Sequence, residues 1–227
     1  MPVFKTQEMF DLTHTLSAPL LSAFEYPYEA LPHLRDFLIE LCRTLPRSLY
    51  EEVAENVLIS RTARVAESAL IEGPTVICER AEIRHGAYIR GSALIGCDSV
   101  VGNSTEIKNS VLFDCVQVPH YNYVGDSILG YFAHMGAGAI ASNVRSDKRN
   151  VTLHARDESI ETSLRKIGAF LGDYAEIGCQ AVLFPGSCVG RRSIVYPLTR
   201  VRGTIPADTI CKDTGVTVPR ENRPETK

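Results

Sequence analysis

From Ile59 onward an aliphatic residue returns at every sixth position: Ile59, Val65, Ile71, Ile77, Ile83, Ile89, Ile95, Val101 and Ile107. Two places ahead of most of them stands a small residue, as at Ala63, Ala69, Thr75, Ala81, Ala87, Ala93, Ser99 and Thr105. A second series runs Leu171, Ile177, Leu183, Val189, Val195, Val201. An α-helix cannot place such residues on one face, because six steps of about 100° end about 240° from the start. A single pleated strand would bury alternate residues instead. A parallel β-helix satisfies the pattern. Each hexapeptide is a short strand and a turn, three of them close a coil, and stacked coils pair one another's backbone groups. Glycines after the aliphatic, at Gly96, Gly102, Gly172, Gly178 and Gly190, suit the turns. The expected fold class is all-β: a left-handed parallel β-helix of hexapeptide repeats, spanning 57–213.

Residues 1–56 do not keep this period. Leu34, Phe37, Leu38 and Leu41 have helical spacing, with Pro32 near the start and Pro46 beyond the end. They predict a small helical cap over the N-terminal end of the prism, covering the first exposed strand edge. Residues 214–227 are read as a C-terminal tail. The formal charge of −3 gives no reason to expect nucleic acid as a partner. No apolar run approaches the ~20 residues needed to cross a bilayer, and the opening MPVFKTQEMF lacks the pattern of a signal peptide. The seven cysteines contain no CxxC pair, and most lie beside repeat positions, where a thiol acts as a small hydrophobe. Together these features predict a soluble protein of the reducing cytoplasm.

The period slips around QVPHYNYVGDSILG, residues 117–130, where the inner positions become Leu112, Val118, Val124, Leu129 and Met135. It then stops. Residues 144–166 are polar and charged, and predict an insertion that leaves at a turn and projects outward. His120, Tyr121, Asn122 and Tyr123 cluster at the slip, which marks it as the candidate reaction site.

The stretches GNSTEIKNSVL (102–112), PHYNYVGDSILG (119–130) and HMGAGAIASNV (134–144) resemble the C-terminal acetyltransferase domain of the bacterial bifunctional N-acetylglucosamine-1-phosphate uridyltransferase and its archaeal relatives. The resemblance covers roughly residues 57–210. It implies a transferase of nucleotide-sugar metabolism in which acetyl-CoA, as co-substrate, acetylates an amino sugar phosphate such as glucosamine 1-phosphate. It also implies a homotrimer with the site between subunits. A prism with three flat faces gives trimerisation a physical basis of its own. By position, His120 matches the general base, a role suited to imidazole. Arg90, Lys108 and Tyr123 match phosphate and sugar contacts, Asn143 a contact near the amine, and Ala137 the backbone donor to the thioester oxygen. His134 stands where the family has a sugar-contacting asparagine, Val144 where it has a tyrosine, and Cys179 where a serine lines the coenzyme channel. Arg191, Arg192, Arg200 and Arg202 are coenzyme candidates by charge alone.

A nucleotidyltransferase domain, with its glycine-rich phosphate loop, is not expected in 1–56, so a separate nucleotidyltransferase is a candidate partner. The departures at His134, Val144 and Cys179 leave open a second reading, a non-enzymatic trimeric module that senses sugar nucleotides. A zinc-dependent anhydrase on this fold would need three convergent histidines. The repeats offer His120 and His134 without a third nearby, so no metal is expected at this site.

Overall fold

The computed structural model describes residues 3–221. Strands of successive coils stack into three sheets of nine, seven and nine strands, which form the faces of a triangular prism. The first face carries Thr75–Ile77, Ala93–Ile95, Ser110–Leu112 and Ile128–Leu129; the second, Val100–Asn103, Gln117–His120 and His134–Met135; the third, Tyr88–Arg90, Glu106–Lys108, Tyr123–Gly125 and Ile140–Ala141. Neighbouring coils pair in parallel, with Val101 beside Val118, Ile107 beside Val124 and Leu112 beside Leu129. The six-residue aliphatics therefore stack on themselves down the axis, and from Ile77 onward they are almost fully buried. The fold is the left-handed β-helix expected from the repeat. The two shortened steps after Ile107 are absorbed at turns, leaving the inner column unbroken.

The N-terminal helices lie along the side of the prism, and the strand edge of the first coil is covered by other residues of the same segment. The first coil is closed by a strand, Tyr50–Ala54, which pairs antiparallel with Val57–Ser60. The helices, the longest being Leu34–Thr44, lie along the first face. The reason is on that face. Its outward residues are apolar (Leu58, Val76, Leu94, Val111, Ile128 and Phe170), and each is at most 1% exposed. Covering side chains of this size stabilises by about 1.5–3 kcal/mol each. The segment reaches far down the helix: Phe10 packs on Phe113 at 5.2 Å and His14 stacks on Tyr131 at 3.6 Å. Asp173, itself buried, accepts the Asp11 N–H at 2.8 Å and returns its own N–H to Met9 O at 3.1 Å.

The insertion also differs from expectation. Its ends are pinned by a bridge between Val144 and Lys166. Between them a hairpin, Thr152–His154 with Ser159–Glu161, folds back onto the prism instead of projecting from it. Val151 and Leu153 are buried, and a Cβ added at Gly186 would meet both of their side chains. At the far end, part of the expected tail is a strand, Val216–Pro219, paired antiparallel with Thr209–Asp213; residues 222–227 lie outside the described residues.

Gly102 shows how tightly the coils approach beneath the candidate site. A Cβ there would overlap the carbonyl group of Pro119, the residue before His120. Gly102→Ala is expected to cost about 3 kcal/mol, read as a lower denaturant midpoint at unchanged slope.

Candidate functional site

The corner between the second and third faces carries a column of turn residues. The Tyr121 N–H donates to Asn103 O at 2.9 Å, Gly138 N–H to His120 O at 2.9 Å, and Gln180 N–H to Ala137 O at 2.8 Å. These bonds stack His120, Ala137 and Cys179 in consecutive coils, about 4.8 Å apart. His120 ends its strand with the side chain exposed. Its backbone is fixed by Asn122, a member of the cluster at the slip to which the sequence assigned no separate role. The Asn122 Oδ1 accepts the His120 N–H at 3.0 Å, and its buried amide donates to Gly136 O at 2.8 Å and Ala139 O at 3.1 Å. The αL conformation of Tyr121 (φ 52°) turns its ring outward, where it is 65% exposed. Among the described residues, the Ala137 N–H has no backbone acceptor.

His134 pairs in register with Gln117 above and Glu176 below. Burial pushes its imidazole below the usual histidine value, Glu176 opposes this, and nearby His120 adds to it. The folded state therefore disfavours the charged ring. The unfolded chain takes up the proton first as pH falls through about 6.5, so stability is greatest above that pH and declines below it. His134→Asn is expected to flatten the fall of the thermal midpoint between pH 7.5 and 5.5, measured against the wild type.

The remaining predicted residues form one cluster on the third face. Arg90 pairs with Glu106 at 2.7 Å. The Lys108 Nζ lies 2.8 Å from Oδ1 of Asp126, whose side chain is 4% exposed. Asp126 also accepts from the amides of Asn109, at 2.8 Å, and Asn143, at 2.5 Å. A Cβ at Gly125 would meet the Tyr123 hydroxyl and the Asn143 amide together, so Gly125 is what lets the two approach. Burial raises the Tyr123 phenol above its ordinary value. Asp126 organises this cluster. Its aspartate lay inside the motif that carried the resemblance, but its role depends on contacts between coils that spacing does not reveal. The His120 column precedes the short strand Tyr123–Gly125, whose first residue, Tyr123, belongs to the cluster.

His85 stands on the same corner as His120, but Asn103 separates them by a coil: its amide donates to His85 O at 3.0 Å and its backbone pairs with His120. The histidines do not converge as zinc ligands. Of the arginines chosen by charge, Arg191 pairs with Asp173 and Arg192 with Asp208. Arg202 instead lines a cleft of about 380 Å³ beneath the insertion, with Arg145, His154 and Phe184. That cleft opens beside Asn143 but includes none of His120, Ala137 and Cys179.

The fold and this corner define the class: a hexapeptide-repeat β-helix resembling the acyltransferases built on that repeat. Comparison with known proteins agrees. The family described as GMPPB C-terminal domain matches residues 71–165. A bifunctional sugar-1-phosphate nucleotidylyltransferase/acetyltransferase of Sulfurisphaera tokodaii is 31% identical over 162 residues, covering 63% of this chain and 40% of that one. The bifunctional protein GlmU of Methanococcus aeolicus is 33% identical over 174 residues, covering 69% of this chain and 42% of that one. The chain thus spans well under half the length of these curated relatives. Among solved structures, the acetyltransferase domain of PglB from Neisseria gonorrhoeae, in complex with acetyl coenzyme A, is similar with 19% identity and a TM-score of 0.34, covering 72% of this chain and 57% of that one. No helix among the described residues is long and apolar enough to cross a membrane.

Proposed function

We propose that the protein is an acetyl-CoA-dependent N-acetyltransferase acting on an amino sugar phosphate of the glucosamine 1-phosphate kind. The observation that carries this reading is the juxtaposition of the exposed His120 imidazole with the Ala137 N–H, one coil away on the same corner and without a backbone acceptor. His120 takes a proton from the substrate ammonium. The freed amine attacks the thioester carbonyl, forming the C–N bond. The Ala137 N–H donates to the oxygen as charge develops; as the C–S bond breaks, the attacking nitrogen gives up its second proton, which converts the departing coenzyme A thiolate to the thiol, while His120 holds the first. Tyr123, Asn143, Lys108 and Arg90 lie on the side where the sugar phosphate would rest, with His134 at the opposite margin. Cys179 continues the column toward the coenzyme.

This reading places the site between copies of the chain in a homotrimer. The N-terminal segment occupies the first face, leaving the second and third for contact between prisms. Exposed apolar residues mark their shared corner, with Tyr121 65% and Leu198 73% exposed. One observation favours the second reading, a sugar-nucleotide-sensing module for a separate nucleotidyltransferase: Arg90 and Lys108 are already paired with carboxylates, so a phosphate must compete with Glu106 and Asp126. A thiol-release assay with acetyl-CoA and a panel of amino sugar phosphates separates the two. Turnover supports the transferase. No turnover, with sugar-nucleotide binding but no saturable coenzyme A binding, supports the sensor.

A further inference from the structure

Cys78, Glu79 and Cys97 meet at the corner between the first and second faces, away from the corner that carries His120. The two sulfurs and a carboxylate oxygen lie within 4.8 Å of one another, and among the described residues no other trio of histidine, cysteine or acidic side chains converges in this way. Oε2 of Glu79 accepts from the Cys97 thiol at 3.2 Å and from the Tyr50 hydroxyl at 3.0 Å. Glu79 turns toward the sulfurs although Arg80 is its neighbour in sequence. The Arg80 guanidinium is instead bidentate to Asp98, at 2.7 and 2.6 Å. The turns are fixed from both sides: the Cys97 N–H donates to Asp114 Oδ1 at 2.7 Å, and the Asp98 N–H to Glu79 O at 3.0 Å. Cys78 is buried, while Glu79 and Cys97 are half-buried, so an ion could arrive from solvent.

The geometry points to a binding site for a thiophilic divalent cation, Zn²⁺ by preference, held by Cys78 Sγ, Cys97 Sγ and a Glu79 carboxylate oxygen. Two sulfurs and one oxygen suit a borderline-soft ion with tetrahedral preference, leaving a fourth position for water. On binding, both thiols release their protons to solvent. Three negative ligands then face two positive charges, and the Tyr50 hydroxyl donates to the carboxylate and holds its orientation. Tyr50 comes from the strand that closes the first coil, Cys78 and Glu79 from the next coil and Cys97 from the one after, so the ion ties all three together. The site is independent of the acyl-transfer reading.

The test is titration of the reduced full chain with Co²⁺, followed by displacement with Zn²⁺. Thiolate-to-cobalt charge-transfer absorption is expected to saturate at one ion per chain, and Zn²⁺ to abolish it and raise the thermal midpoint. Cys97→Ser should lose both responses, Glu79→Gln should weaken apparent affinity about tenfold or more, and Cys179→Ser should retain both. Absence of the absorption in the wild type, or its survival in both Cys97→Ser and Glu79→Gln, overturns the proposal. So does a Cys78–Cys97 disulfide, seen by mass as the loss of two hydrogens after mild oxidation, in a protein that binds no ion when reduced.

Discussion

His120→Ala is expected to lower kcat for acetyl transfer by about a hundredfold while leaving the protein folded. Both halves follow from the way the residue is held. The backbone at this turn is fixed by Asn122, through its bonds to His120 N–H, Gly136 O and Ala139 O. The imidazole is exposed and takes no part in that lattice. Removing it deletes a base without loosening the strand, so stability should change by no more than about 0.5 kcal/mol, as for other surface substitutions. Asn122→Ala makes the converse comparison. It removes no titratable group, yet frees the turn and removes the amide donor shared by Gly136 O and Ala139 O, so activity and stability should fall together. The measurement is steady-state thiol release alongside denaturant unfolding for both variants. Undiminished turnover in His120→Ala would remove the histidine from the reaction.

The second large effect is on stability. Asp126→Ala leaves the Lys108 ammonium and the amides of Asn109 and Asn143 without their shared acceptor in a largely buried setting. Breaking one partner of such a pair costs about 3 kcal/mol. Asp126→Asn, which keeps the shape and one accepting oxygen, should recover part of that loss. If Lys108 and Asn143 hold substrate, both variants also raise KM for the sugar phosphate, because the carboxylate is what positions them. Urea unfolding reads the first consequence and substrate saturation the second. A fully stable Asp126→Ala protein would show that the cluster is solvated rather than structural.

Much of this architecture is legible in the sequence, because a β-helix is written in one repeating column. Ile77, Ile95 and Leu112 differ little in character, and their equivalence is visible without knowing which coil each occupies. The placement of the N-terminal helices was less accessible, although a signal existed. In the strands TVI, ALI, SVL, SIL and AFL, which recur every third hexapeptide, the middle residue is apolar every time, whereas on the other two faces it varies between apolar and polar or charged, as at Glu82, Glu106, Gln117 and Glu176. That longer period marks one face of the prism as covered, and it appears only when the repeats are read in threes. The strand at Tyr50–Ala54 lay hidden because YEEVA suits a helix by propensity and becomes a strand by pairing with the first coil. The hairpin at 152–161 is mostly polar, and its docking combines the buried Val151 and Leu153 with polar contacts that spacing does not reveal, such as the bond from Thr204 Oγ1 to His154 O at 2.8 Å. His120, Ala137 and Cys179 were placed from a resemblance, and the stacked turns bring them onto one corner. Asp126 was passed over, because a buried acceptor is recognised by the donors around it, and those donors come from other coils; Asn122 was seen in the cluster, but its positioning role rests on carbonyls of the next coil.

A solenoid is ordinarily a chain of neighbours, in which each coil touches only the next and the ends fray independently. The N-terminal segment changes that statistical character. Phe10, His14 and Met9 reach coils whose residues lie more than a hundred positions away, and the bond from Asp11 to Asp173 spans 162. Unravelling a middle coil therefore also releases the segment that runs past it, linking local openings into one transition. Amide exchange should show a broad plateau of protection from about residue 75 to 175 rather than a gradient from the ends. Folding carries the corresponding kinetic burden, since a segment made first must wait for coils made much later before it can dock.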